Sequence, residues 1–344
     1  MGARRNAPQL DPELAAGLAV ALDGTPSPIT LSDVPGKRIE EDRLTTAAVA
    51  AARRRGIHID EVVALSADGT SVPVSILYGP ARSATSPFIY YIHGGGMMLG
   101  NRWSGLDVME DWIDRFNAVV ATVEYRLAPE NPFPAPQEDS YAGLVLVARQ
   151  AGELGINVEA GLIAGISAGG GLAAGVALMA RDRGGPQVSG MVLMAPMLDD
   201  RSTSMSAQQF SDSLWSAEEN DLGWRCLLGE LAGGPGPLPP HAAPGRCEDL
   251  SGLPHAFLEV GSAEIFRDET QDFASRIWRA GGRAELHVWS GAFHGFEILS
   301  HTLVAQSATH VRNSWIQRVL GVPENAISAR PQLTDGDEPL AASM

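Results

Sequence analysis

Ser167 stands in Gly165-Ile166-Ser167-Ala168-Gly169, a G-x-S-x-G pentapeptide that follows an apolar run and opens a helical run of small residues. A serine hydroxyl becomes a nucleophile when a sharp strand-to-helix turn exposes its Oγ and a nearby imidazole removes its proton. Flanking glycines permit such a turn, because backbone must approach closely where a side chain would intrude. Alone, the pentapeptide fits a Gly-rich turn with a capping serine equally well. A second element shifts the balance: the strand-like run 88–92 leads directly into His93-Gly94-Gly95-Gly96-Met97-Met98. Successive glycines let a loop turn its N–H groups toward a developing alkoxide, and each such donor is worth roughly 3 kcal/mol of barrier. Gly95, Gly96 and the amide of Ala168 are the expected donors; Gly94 shapes the turn, and His93 holds the loop from behind. A phosphate-cradling glycine loop is the alternative. It is disfavoured because the chain's only lysine, Lys37, lies far from either glycine run.

The serine needs a base, and the base needs an acid to fix its tautomer. In the chain order that goes with this kind of turn, serine precedes acid and acid precedes histidine. His287, His294, His301 and His310 satisfy that order. His287 falls inside the alternating run 284–289, which places it on a sheet face, and His301 and His310 fall in a terminal helical pattern. His294 sits in Gly291-Ala292-Phe293-His294-Gly295-Phe296, a permissive loop just beyond a strand, and is the expected base. The acid should follow the strand 255–260. Glu264 lies in the loop at that strand's carboxyl end, where catalytic groups collect. Asp268 is the reserve, because it and Glu269 begin a helical pattern in which carboxylates complement the helix N-terminus.

These residues require a particular scaffold. After an Asp68-Gly69 turn between the β-rich runs 57–65 and 72–78, apolar strand-like runs alternate with helical patterns to the end of the ordered text: strands near 88–92, 118–124, 162–165, 188–195, 255–260 and 284–289, with helices between and after them. That alternation predicts a mostly parallel sheet flanked by helices on both faces. Residues 1–55 read as two or three helices broken by Pro26, Pro28 and Pro35, and 199–254, dense in Ser, Gly and Pro, as an insertion after the sixth strand. Residues 323–344 read as a disordered tail. The uncharged run 160–180 is long enough to imitate a membrane span. Three adjacent glycines, Gly169 to Gly171, argue instead for a buried strand, a turn and a buried helix.

Composition narrows the chemistry further. The formal charge of −16 repels nucleic acid and anionic lipid, so neither is an expected partner. Cys226 and Cys247 are the only cysteines, too few for a disulfide framework or a cysteine zinc site, and they fit a cytoplasmic compartment. The apolar run 14–22 is short, follows Asp11 and Glu13 and lacks a cleavage site, so no signal peptide is expected. No metal-binding histidine spacing occurs, and neither metal nor cofactor is expected. A homodimer remains possible.

Taken together, His93 to Gly96, the segment around Ser167, Tyr125-Arg126-Leu127-Ala128-Pro129-Glu130 with Pro132-Phe133-Pro134, and the loop 291–296 resemble the hormone-sensitive-lipase-like esterases of the α/β hydrolases. The resemblance spans about 72–319. It implies an α/β-hydrolase domain over 56–322, in which the helices of 1–55 and the insertion 199–254 form a cap over the site. It also implies that Arg126 and Glu130 are buried ion partners. Two positions depart from the pattern: Ile166 replaces the usual Asp beside the serine, and Glu264 replaces the usual Asp of the triad. The implied activity is serine carboxylic ester hydrolysis on short- to medium-chain esters through an acyl-enzyme. Lactone, amide or carbamate hydrolysis by the same triad, and small-molecule binding without catalysis, are the alternatives. Met97, Met98, Trp103 and Trp215 are candidates for the substrate pocket, each equally readable as cap core.

Overall fold

The structure, a computed structural model, describes residues 7–21, 28–83, 86–209 and 214–322. The expected tail 323–344 lies outside the described residues. Eight strands alternate with helices: β1 (His58–Leu65), β2 (Ser71–Tyr78), β3 (Ser86–Ile92), β4 (Val119–Val123), β5 (Ile156–Ile166), β6 (Gly190–Met194), β7 (His255–Gly261) and β8 (Ala284–Trp289). They form one sheet in the order β1-β2-β4-β3-β5-β6-β7-β8. The Asp68-Gly69 turn closes an antiparallel β1–β2 hairpin, β2 pairs antiparallel with β4, and every later pair is parallel.

The helices between these strands are α3 (Leu106–Phe116), α4 (Ala135–Arg149), the single turn α5 (Ala151–Leu154), α6 (Ala168–Arg183), α9 (Arg267–Arg279) and, last, α10 (Leu303–Leu320). Preceding the sheet are α1 (Pro12–Ala21) and α2 (Val34–Arg54); within 199–254 lie α7 (Met205–Gln209) and α8 (Ala217–Leu228). Strand β3 shows how the layers are specified. Phe88, Tyr90 and Ile92 enter the core cluster with residues of α4, α6 and α9, while Ile89 and Tyr91 enter the cluster with α3 and α10. A strand buried on both faces has no polar alternation to show, which is why 88–92 is apolar throughout. The run 160–180 is the end of β5, the Ser167 turn and a buried α6. Among the described residues no helix is long and apolar enough to cross a membrane.

Both flanking segments meet the loops at the carboxyl ends of the strands. Leu14 and Leu18 of α1 pack on Ala292, Phe293 and Phe296, and Asp11 donates its amide to the Gly291 carbonyl at 3.0 Å. Helix α8 starts with a capping box, in which Ser216 Oγ accepts from the Glu219 amide and the Glu219 carboxylate accepts from the Ser216 amide. Trp215, Trp224 and Leu227 of this insertion join the main core cluster.

Candidate active site

Ser167 occupies the step from β5 to α6 with φ 56° and ψ −124°, a conformation that a residue bearing a side chain adopts only when its surroundings impose it. Here three hydrogen bonds impose it: Ser167 N–H donates to the Met194 carbonyl at 2.8 Å, and the Ser167 carbonyl accepts from Met197 at 3.0 Å and Gly171 at 3.1 Å. Gly169 makes the turn possible in a second way. A Cβ there would lie 2.1 Å from the Ile92 carbonyl oxygen and 2.4 Å from that of His93, so α6 can start against the end of β3 only if this residue is glycine.

Strands β7 and β8 bring the other two side chains to the same spot. His294 Nε2 lies 3.0 Å from Ser167 Oγ, and His294 Nδ1 lies 2.6 Å from Glu264 Oε2. Glu264 is fully buried and His294 nearly so. The second carboxylate oxygen, Oε1, accepts from the Gly261 amide at 2.6 Å. An ionised carboxylate can only accept, so the imidazole proton sits on Nδ1 and the Nε2 lone pair faces the serine hydroxyl. Asp268 is not part of this chain: it pairs with Arg267 at 2.7 Å and accepts from the Ser206 amide at 2.8 Å, tying α9 to α7. His287 is on a sheet face, as its alternating run predicts, near Glu285 and stacked on Trp289. His301 precedes α10 rather than lying in it.

The glycine loop lies beside the serine: a Cβ on Gly94 would come within 3.3 Å of Ser167 Cβ. Gly95 and Gly96 have φ of 100° and 60°, and the Gly95 carbonyl accepts from the amides of Met98 and Leu99, closing a tight turn. Among the described residues no protein group accepts from the amides of Gly95, Gly96 or Ala168. His93 is buried behind the loop, stacked on Tyr125 at 4.2 Å, with Nδ1 2.9 Å from the Gly94 carbonyl. Burial lowers its pKa to about 4, so it stays neutral.

Other expectations resolve differently. Arg126 pairs with the buried Asp139 and with Asp68, but Glu130 is an exposed carboxylate whose partner is Arg38 of α2. The partner is set by α2, whose Arg38 also donates to the Ala128 carbonyl of the same loop. Met97 and Met98 are fully buried core residues, and Trp103 packs in the α3–α10 cluster with Arg102 over its ring, so these three support the loop region from within. Trp215 packs against the glycine loop: a Cβ on Gly96 would meet its ring at 2.3 Å.

Several contacts leave no local mark in the sequence. Glu259, two residues before the end of β7, and Arg312 of α10 form a buried ion pair at 2.5 Å, and Trp289 Nε1 donates to the second Glu259 oxygen. Glu297, just beyond the His294 loop, is raised to about 7, first by burial and then by the charge of Glu259. Arg38 and Glu41 are further examples, since on the sequence they belong to the charged face of α2. Only the charge content of these runs was available as a signal. Among the described residues no group of three or more His, Cys, Asp or Glu side chains is placed to hold a metal ion.

Comparison with known proteins agrees with this geometry. The alpha/beta hydrolase fold family matches residues 89–298. Esterase LipI of Mycobacterium tuberculosis is 31% identical over 89% of this chain and 93% of its own, and carboxylesterase NlhH of the same species is 33% identical over 83% and 89%. Among solved structures, a bacterial heroin esterase superposes with a TM-score of 0.84 at 35% identity, covering 91% of this chain and 98% of its own. Esterase LipW of Mycobacterium marinum does so with 0.80 at 32%, with coverages of 91% and 98%. With the Ser167 turn, the glycine loop and the His294 loop all inside the matched region, the chain belongs to the alpha/beta hydrolase fold family, in its hormone-sensitive-lipase-like branch of esterases.

Proposed function

We propose that the protein is a serine carboxylic ester hydrolase in which Ser167 is the nucleophile, His294 the general base and Glu264 the acid that orients it. The observation that carries this reading is the unbroken chain of contacts from Glu264 through His294 to Ser167 Oγ, next to three amides from which, among the described residues, no protein group accepts. In the first half-reaction Oγ bonds to the ester carbonyl carbon while its proton passes to His294 Nε2. The carbonyl oxygen becomes an oxyanion, which Gly95, Gly96 and Ala168 bind through their N–H groups. The C–O bond to the alcohol then breaks, the alcohol leaves with the proton from Nε2, and an acyl-serine remains. Water repeats the sequence: His294 takes its proton as the water oxygen bonds to the acyl carbon, the acyl–Oγ bond then breaks, and the carboxylic acid leaves as Ser167 Oγ recovers its hydrogen from His294. Glu264 keeps its hydrogen bond to His294 Nδ1 throughout and stabilises the imidazolium that forms twice.

Trp215 against Gly96 is the proposed wall of the acyl site, and the cap formed by 1–55 and 199–254 restricts it to short- and medium-chain esters. The free, unbridged Cys226 and Cys247 support a cytoplasmic compartment. Turnover of p-nitrophenyl esters of graded acyl length, with Ser167→Ala as the matched blank, tests the reading. Saturable hydrolysis lost in the variant is expected; hydrolysis that persists in Ser167→Ala, or none in the wild type, would refute it.

A further inference from the structure

Gly94 to Gly96 have no side chains of their own with which to fix the glycine loop. Its outer turn is nonetheless held at several points, and they come from α2. Arg38 Nε donates to the Met98 carbonyl at 2.8 Å and Nη2 to the Ala128 carbonyl at 2.8 Å, while both terminal nitrogens reach Glu130 at 2.9 and 3.0 Å. Three residues on, on the same helix face, Glu41 Oε2 accepts from the Gly100 amide at 2.8 Å and Oε1 from Ser104 Oγ at 2.7 Å. Asp42 accepts from Asn101 Nδ2 at 2.8 Å. The turn these groups grip is the one closed on the Gly95 carbonyl by the amides of Met98 and Leu99. The orientation of the Gly95 peptide is therefore passed outward to Met98 and Gly100, and from there to two charged side chains.

We propose that Arg38 and Glu41 are positioning residues for ester hydrolysis, which fix the Met98 carbonyl and the Gly100 amide and thereby aim the Gly95 and Gly96 amides at the oxyanion. The inference rests on the reading of Ser167 as the nucleophile. Donors in a fixed orientation need no reorganisation as charge develops, so their loss of aim is felt in the transition state more than in substrate binding. Charge-assisted bonds are suited to the task because they are shorter and stronger than neutral ones.

The test compares the full-length wild type with Arg38→Ala, Glu41→Ala, Glu41→Gln and Arg43→Ala on a p-nitrophenyl ester. Active sites are counted by stoichiometric reaction with an organophosphonate, and folding is followed by Tm. Arg43 pairs with Glu40 on the exposed face of α2, and among the described residues no hydrogen bond or ion pair joins it to a loop of the site, so Arg43→Ala should leave kcat unchanged. In Arg38→Ala and Glu41→Ala, kcat per titrated site should fall about 10- to 100-fold, the scale of a small misplacement of catalytic groups. KM should stay within about threefold, as expected for an interaction made in the transition state. Glu41→Gln should recover much of the loss, because its amide oxygen still accepts from Gly100. Unchanged kcat per titrated site would overturn the inference, whether or not Tm falls, and so would an equal loss in Arg43→Ala. If Arg38→Ala does not fold, the Glu41 pair of variants decides alone. A wild type without Ser167-dependent turnover would instead remove the hydrolase reading, and this inference with it.

Discussion

Replacing Glu264 by glutamine separates the electrostatics of the site from its packing. The side chain is fully buried, and its two oxygens accept two different hydrogens, from the Gly261 amide and from His294 Nδ1, each at 2.6 Å. Glutamine has one oxygen and one NH2. If the oxygen turns toward His294, the NH2 is pressed against the Gly261 N–H, and two buried donors are left unpaired at a cost of about 1–3 kcal/mol each. If the oxygen keeps Gly261, the NH2 faces Nδ1, and the imidazole accommodates it by moving its proton to Nε2. The second arrangement leaves every buried group paired, so it wins. Stability is then nearly unchanged, but Nε2–H now points at Ser167 Oγ and no base remains. Fixing the wrong tautomer in a serine triad lowers kcat about 10⁴-fold, which is about 5.5 kcal/mol of barrier. Glu264→Gln should therefore show kcat reduced by 10³- to 10⁴-fold with KM little changed and Tm within about 3 °C of wild type, roughly the shift that 1 kcal/mol produces in a domain of this size. Steady-state hydrolysis of a p-nitrophenyl ester and a thermal melt measure both quantities. Turnover above a tenth of wild type would refute the tautomer argument, and a collapse of Tm would refute the hydrogen-bond count.

Gly169→Ala places a methyl against the Ile92 and His93 carbonyls and should lower both expression of folded protein and kcat, by about 1–3 kcal/mol of stability for an overpacked site; a melt within error of wild type would contradict the close approach. Arg312→Met strands the buried Glu259 and should destabilise by about 3–5 kcal/mol, whereas the double change with Glu259→Leu should recover much of it; chemical denaturation of the three variants reads the difference. Glu297 has its pKa raised in the folded protein to about 7, so the native state holds a proton that the unfolded chain releases near 4.5. Stability from this group is present below about 4.5 and is lost as pH rises toward 7. Tm should fall by a few degrees from pH 5 to pH 8, and Glu297→Gln should flatten the slope; an identical slope in the variant would remove Glu297 as its source.

How much of this was readable beforehand differs from residue to residue. The chain of strands and helices was legible because burial on both faces of a parallel sheet demands runs such as 88–92 and 190–194, and intervening helices follow from the connections. Ser167 and the glycine loop were legible because their chemistry needs backbone geometry, and backbone geometry that excludes a Cβ writes glycine into consecutive positions. His294 and Glu264 were legible only as candidates at strand ends. Asp268 satisfied the same local criteria and was separated from Glu264 by where α9 begins and which way its first turn faces.

What the amino-acid sequence determined by itself is the fold class, the strand-turn-helix that presents Ser167, and the glycine turn that precedes Met97. Tertiary structure alone decided which carboxylate meets His294, that Glu130 is exposed and bound by Arg38, that Trp215 and not Trp103 reaches Gly96, and that Arg312 neutralises Glu259. The physical reason is range. Propensity, periodicity and the absence of a Cβ act on residues that are neighbours in the chain, and they leave a local record. A buried ion pair or a helix braced against a loop joins residues 50 to 100 or so positions apart, and each partner, taken alone, is only one more charged side chain in its strand, loop or helix.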